Sequence, residues 1–200
     1  MIKVWHDPGH GGSNKGLEHE GFVERHWNLE FAQLLTDKLV GDFPEQQIAR
    51  HSDEHAYYSK RAQKAQTWGA DVALLHHVNG AFWPADGPHE GGPRLHMQGA
   101  ICFTMRSNSA RLWSMARVLL YHLPGDLRRT RNDLIIAESD NWTRDAHGHL
   151  RHYTGLGIPA ILIEWGFATN PNDREALQDT RTRLQMVRAV AAALHRFEEA

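Results

Sequence analysis

What this chain has little of already narrows its function. It has one cysteine, Cys102, so no internal disulfide can hold the fold. Cys102 lies in the apolar run of residues 100–103 and reads as a small core hydrophobe. Charge of one sign is also missing: the formal net charge is −2, without the basic excess that a nucleic-acid partner demands. No long hydrophobic run is present. The N-terminus carries one Lys and a four-residue apolar run broken by Asp7 and Pro8, which matches neither an export signal nor a membrane span. The expectation is a protein made in the cytoplasm, with no membrane insertion and no nucleic-acid partner. With 200 residues and 41% hydrophobic content, one substantial core and a single domain over residues 1–200 are expected.

Histidine is abundant instead, at 15 residues, and imidazole is the commonest metal-ligating side chain. His10 stands in Asp7-Pro8-Gly9-His10-Gly11-Gly12, straight after the apolar run of residues 2–5. A strand that ends in proline and glycines has given up regular structure to aim a side chain. Residues 72–75 likewise run into His76-His77-Val78-Asn79, and residues 160–163 into Glu164-Trp165-Gly166-Phe167. Ligands in open α/β sheets collect beyond the carboxyl ends of strands. If the three runs lie side by side, His10, His77 and Glu164 meet at one rim.

Between these runs the helical spacing is clear. Residues 23–42 place Trp27, Phe31, Leu34, Leu35 and Leu39 on one face, with Glu24 in the first turn. Glu24 there is either a helix-start carboxylate favoured by the dipole or a functional group. Residues 46–50 read as a short strand, and Ser59 is expected to cap a helix ending at Gly69. Residues 80–97 read as a long surface loop, residues 99–104 as a strand, and Asn108 or Ser109 as the cap of a helix carrying Leu112, Met115 and Leu119. Residues 123–152 are polar and broken, with 134–137 as their one strand-like piece. Asn170-Pro171-Asn172-Asp173 starts a short helix, and a last helix over 181–197 should turn Leu184, Val187, Val190, Ala191 and Leu194 inward.

Two imidazoles and a carboxylate form a ligand set for catalytic zinc, which leaves a fourth position open. Zinc polarises a carbonyl and lowers the pKa of water to roughly 7, as amide hydrolysis requires. His10, Glu24 and His77 would supply the set, and Glu164 a separate carboxylate to move protons. His76 competes with His77, because alternation along a strand sends the two to opposite faces. His19, His26, His147, His149 and His152 are alternative ligands, each read as a solvated bystander in a loop or on a polar helix face. The spacing is not the contiguous H-E-x-x-H of many metalloproteases.

The residues just quoted carry a resemblance. Asp7 to Gly12, then Gly16, Gly21, Glu24 and Asn28-Leu29, resemble the opening of the zinc-dependent N-acetylmuramoyl-L-alanine amidases, the amidase_3 family. Arg50 with Asp53, Arg61, Ala70-Asp71, His77-Val78-Asn79, and the stretch from Pro159 to Phe167 with Asn170 continue it in family order. The resemblance implies a mixed, mostly parallel sheet flanked by helices, Zn²⁺ held by His10, Glu24 and His77, and Glu164 as the catalytic carboxylate. It selects His77 over His76 through His-x-Asn and leaves Asn79 as a candidate substrate contact. The implied substrate is peptidoglycan, cut between N-acetylmuramic acid and the L-alanine of the stem peptide.

His6, Asn14 and Thr154 depart from the family pattern, the first two replacing an aliphatic residue and an Asp, the third standing near a usual Arg. Trp83, Trp142 and Tyr153 are candidate wall contacts. A phage-type endolysin released by a membrane-permeabilising partner fits the expected absence of an export signal. The competing readings are a zinc peptidase or other amidohydrolase on the same fold, and a wall-binding module without turnover.

Overall fold

The computed structural model describes residues 1–82, 91–105, 110–128, 135–138 and 145–200, with the side chains of 135–138 and 145–147 left out. Trp83, Asn108, Ser109, Leu134 and Trp142, and the side chain of His147, therefore lie outside the described residues.

Six strands form one sheet. They are β1 (Val4–Pro8), β4 (Gln46–Ile48), β5 (Val72–Asn79), β6 (Ile101–Met105), β7 (Ile135–Glu138) and β8 (Ala160–Phe167), in the order β4-β1-β5-β8-β6-β7. All neighbours pair parallel except β6 with β8. A two-stranded hairpin of β2 (Glu18–His19) and β3 (Phe22–Val23) precedes the first helix. Among the described residues the helices are α1 (Glu24–Leu39), α2 (Tyr58–Trp68), α3 (Ala110–His122), α4 (Asp145–Thr154), α5 (Pro171–Gln178) and α6 (Thr180–Glu199). The expected mixed, mostly parallel sheet is present.

Strand alternation divides the core in two. Val4, Val72, Leu74, Cys102, Ile161 and Ile163 face one way and pack under α1, α3, α5 and α6. Trp5, Ala73, Leu75, Ala160 and Leu162 face the other way with α2 and α4. Helices thus cover both faces, which explains why the central strands read as unbroken apolar runs.

Several expectations need correcting. Strand β5 continues through His76 and His77 to Asn79, so both histidines sit in regular structure. Helix α2 begins at Tyr58 behind Tyr57, which makes no side-chain cap, so Ser59 is inside the helix. Gly69 does end it, in the left-handed conformation that lets its N–H reach the carbonyls of Ala65 and Gln66. On α6 Leu184 is 39% exposed, because the helix turns Met186, Val187, Val190 and Leu194 to the core. Asn170 caps α5 as expected, accepting from the N–H groups of Asn172 and Asp173.

His6 and His76 lie on the α1 face, stacked with ring centroids 5.4 Å apart, and both are fully buried. A hydrogen-bonded ladder makes this tolerable. The Trp165 indole donates to His76 Nδ1 at 3.3 Å, His76 Nε2 lies 3.2 Å from His6 Nδ1, and His6 Nε2 lies 3.0 Å from Gln46 Oε1. One proton on the outward nitrogen of each ring satisfies the whole ladder with neutral imidazoles.

Burial pulls the His6 pKa from 6.5 down to about 4, against the hydrogen bond to Gln46 that favours the charged ring. The folded-state value is the lower one, so the unfolded chain binds more protons between these values. Stability should therefore be full above about pH 6.5 and decline as pH falls toward 4, by on the order of 3 kcal/mol from His6. Denaturant titrations across that range in the presence of a chelator would measure it.

Candidate metal centre and active site

The site begins at the end of β1. The chain leaves regular structure after Pro8, and His10 adopts φ 62°, a left-handed conformation that costs a non-glycine residue on the order of 1 kcal/mol. Two buried arginines hold the segment by its carbonyls. Arg50 donates to Pro8 O and Gly9 O, both at 3.2 Å, and Arg61 donates to Pro8 O and His10 O, both at 2.7 Å. Groups that a strand partner would have satisfied are thus paired with cations.

Two glycines allow the approach of the ligands. A Cβ on Gly9 would stand 2.3 Å from the His77 ring, and one on Gly16 would stand 2.5 Å from Glu24 Oε2 and 2.6 Å from the His10 ring. Neither position has room for a side chain.

His10, Glu24 and His77 converge from three elements, with one ligand atom each all within 4.8 Å of one another. Glu24 Oε1 lies 3.1 Å from His10 Nε2 and 3.2 Å from His77 Nδ1. Two ligands at zinc distance in a tetrahedral arrangement are about 3.3–3.5 Å apart, so the donor set fits such an ion. Glu24 opens α1, yet its carboxylate turns from the helix into the site: Oε1 accepts from Val78 N at 3.1 Å and Oε2 from Leu17 N at 2.8 Å. The carboxylate is thus turned away from the helix start and toward the two imidazoles. Burial opposes its ionisation, but the His10 and His77 rings within hydrogen-bond distance hold the carboxyl well below the usual range.

His10 is oriented by Asn14, whose Oδ1 lies 2.9 Å from His10 Nδ1. A neutral amide oxygen thus meets the ring at Nδ1, and Nε2 faces Glu24. His76 points to the opposite face, as alternation required.

Glu164 is the register partner of His77 on the adjacent strand, and both side chains emerge on the α2 side. Its Oε2 is buried with no hydrogen-bond partner. Burial first, and the Glu24 charge second, push its pKa well above the carboxylate norm. A buried, unpaired carboxyl beside a ligand cluster suits a proton carrier. Asn79 caps its own loop, its Oδ1 accepting from Gly80 N at 2.8 Å.

Residues 4–196 match the amidase_3 family, described as N-acetylmuramoyl-L-alanine amidase. The chain belongs to that family. The amidase CwlM of Bacillus licheniformis is 28% identical over 200 residues, covering 98% of this chain and 68% of its own length. A sporulation-specific N-acetylmuramoyl-L-alanine amidase of Bacillus subtilis (strain 168) is 36% identical over 107 residues, half of this chain and 42% of its own. The crystal structure of an N-acetylmuramoyl-L-alanine amidase from Clostridium difficile 630 superposes with a TM-score of 0.77 at 22% identity, covering 100% of this chain and 97% of that one. This amidase therefore acts on peptidoglycan, at the bond between N-acetylmuramic acid and L-alanine. The family is generally zinc-dependent, and the trio above is placed for a metal.

Two sequence expectations fail at the site. His149, read as a solvated bystander, is fully buried and 3.0 Å from His77 Nε2. Tyr153, read as a wall contact, is also fully buried, donating to Asp7 Oδ2 at 2.5 Å and accepting from the Trp5 indole at 2.9 Å. His149, Leu150 and Tyr153 share one face of α4, and this spacing was the available signal once His is counted as a face residue.

The contact at Gly9 yields a test. Gly9→Ala should cost the amidase roughly 100-fold in wall hydrolysis by displacing the His77 ring, while far-ultraviolet circular dichroism remains that of the parent.

Proposed function

We propose that residues 1–200 form one catalytic domain in which His10, Glu24 and His77 hold a single Zn²⁺ and Glu164 carries the proton. The orphaned Oε2 of Glu164, beside a closed trio of ligand atoms, is the observation that carries this reading. Bound zinc supplies Lewis acidity, polarising the amide carbonyl and acidifying water. Burial and the Glu24 charge raise the proton affinity of Glu164, and with a bound cation offsetting them to leave it ionised, it would take a proton from the attacking water and pass it to the leaving alanine nitrogen. His10 and His77 stay neutral as ligands, and Asn14 keeps the His10 ring aimed. Asn79, at the end of β5, is assigned as a substrate contact.

A binding module would gain nothing from an unpaired buried acid, since desolvating it costs free energy that turnover alone justifies. Among the described residues no helix is long and apolar enough to cross a membrane. The wall lies outside the membrane, so the proposal extends to delivery by a membrane-permeabilising partner, as in phage lysis.

Glu164→Gln keeps shape and volume while removing the proton carrier. We expect it to retain zinc at one equivalent and to lose about 10²–10⁴ in rate on purified sacculi. The parent should release new L-alanine amino termini with no break inside the stem. Breaks within the stem would favour the peptidase, and saturable binding without release the wall-binding module. Chelation should abolish hydrolysis, and added Zn²⁺ restore it.

A further inference from the structure

A buried line of polar groups runs away from the ligand cluster on the side opposite Glu24. His77 Nδ1 faces Glu24 Oε1, and its other nitrogen, Nε2, lies 3.0 Å from His149 Nδ1. His149 Nε2 in turn lies 2.6 Å from Asp7 Oδ2. The Asp7 carboxylate also accepts from Tyr153 Oη at 2.5 Å and, through Oδ1, from Arg61 at 2.8 Å. Asp7, His149 and Tyr153 are all fully buried.

We propose that His149 is a positioning residue for the metal centre, fixing through Asp7 the tautomer of His77 so that Nδ1 is left bare for the ion. The inference rests on the metal-site reading of His10, Glu24 and His77.

The hydrogens follow from what each atom can do. An ionised carboxylate only accepts, and Asp7 sits beside the Arg61 guanidinium, so the atom facing it at 2.6 Å, His149 Nε2, carries a hydrogen. A neutral imidazole has one N–H, which makes His149 Nδ1 an acceptor. His77 Nε2 must then donate. With its hydrogen on Nδ1 instead, two lone pairs would face each other at 3.0 Å between two buried rings. Placing the hydrogen on Nε2 strips Nδ1 and turns its lone pair toward the ligand cluster. Nδ1 then faces Glu24 Oε1 across 3.2 Å, two lone pairs that a cation held between them would satisfy, while Oε1 keeps the N–H of Val78.

The ring of His149 is itself held. Tyr58 stacks on it at a centroid distance of 3.8 Å and an interplanar angle of 13°. The line therefore joins β1, α2, α4 and β5, and it has two imidazoles between carboxylate and ion where metal sites commonly have one. Its counterpart at the other ligand is Asn14, which meets His10 Nδ1 directly from solvent-exposed ground. The buried ligand has the built support and the partly exposed one does not.

The test combines a tautomer measurement with metal affinity. Nitrogen-15 NMR of the histidine side chains in the chelator-treated, full-length parent should show His77 protonated on Nε2. A dominant Nδ1–H form overturns the proposal. Zinc dissociation constants, measured by competition with a chromophoric chelator, should rise about 10–100-fold in His149→Leu, the usual cost of losing such a support. His149→Gln, which offers an oxygen to His77 and an N–H to Asp7, should stay within a few-fold of the parent. Equal affinity in the parent and in His149→Leu also overturns it. If His149→Leu fails to fold, the parent tautomer and the His149→Gln affinity decide. The underlying metal-site reading fails separately, if the parent takes up no zinc or if His10→Ala binds it as well as the parent does.

Discussion

Asp7 is a negative charge taken wholly out of water at the carboxyl end of the first strand, and most of the active region is arranged to satisfy it. Removing an ion from water is costly unless charged and polar partners replace the solvent. Arg61 from α2, and His149 and Tyr153 from α4, supply those partners. Burial alone would push the Asp7 carboxyl up, but His149 and Arg61 hold it well below the usual range. Because these partners come from two helices, satisfying Asp7 docks both of them on one face of the sheet. The same guanidinium reaches past Asp7 to the carbonyls of Pro8 and His10, so the docking of α2 also sets the strained turn that aims His10.

That arrangement explains why the ligands can come from distant parts of the chain. Parallel pairing of β1 with β5 and of β5 with β8 brings His77 and Glu164 to one rim, and the turn after β1 folds His10 over it. Glu24 arrives from the opposite layer, because the hairpin β2-β3 returns the chain over the strand ends before α1 starts. Two glycines fill the places where backbone and rings come closest. The site is therefore a property of the sheet's topology and of Asp7, more than of any local sequence.

Legibility in the sequence follows the same division. The central strands were readable because both faces are covered, which makes β5 and β8 apolar throughout their first halves. Helix α1 was readable from its 3.6-residue period. The ligand trio was not derivable from spacing, since the three residues share no local frame; their order within a family pattern carried that reading. Helix α4 was hidden because its buried face is made of His149, Leu150 and Tyr153, and two of these three are polar residues whose burial depends on Asp7, 142 and 146 positions away in sequence. The hairpin β2-β3, of two residues per strand, is too short for any period to show.

Three carboxyl groups at one end of this sheet illustrate how environment assigns chemistry to identical functional groups. Asp7 has a donor on every side and is fixed as an anion that orders other residues. Glu24 is as deeply buried but accepts from two backbone N–H groups and stands between two imidazoles, so its charge is kept and directed at a single point. Glu164 has burial without donors and a neighbouring anion, and both favour its protonated form. Only this last group can change protonation state without dismantling a network, because no hydrogen bond of Oε2 has to break first. A proton carrier must be free in that sense, and a ligand or a structural anchor must not. The difference among the three acids is set by how many donors the fold brings to each, and the proposed proton carrier is the one whose Oε2 has none among the described residues.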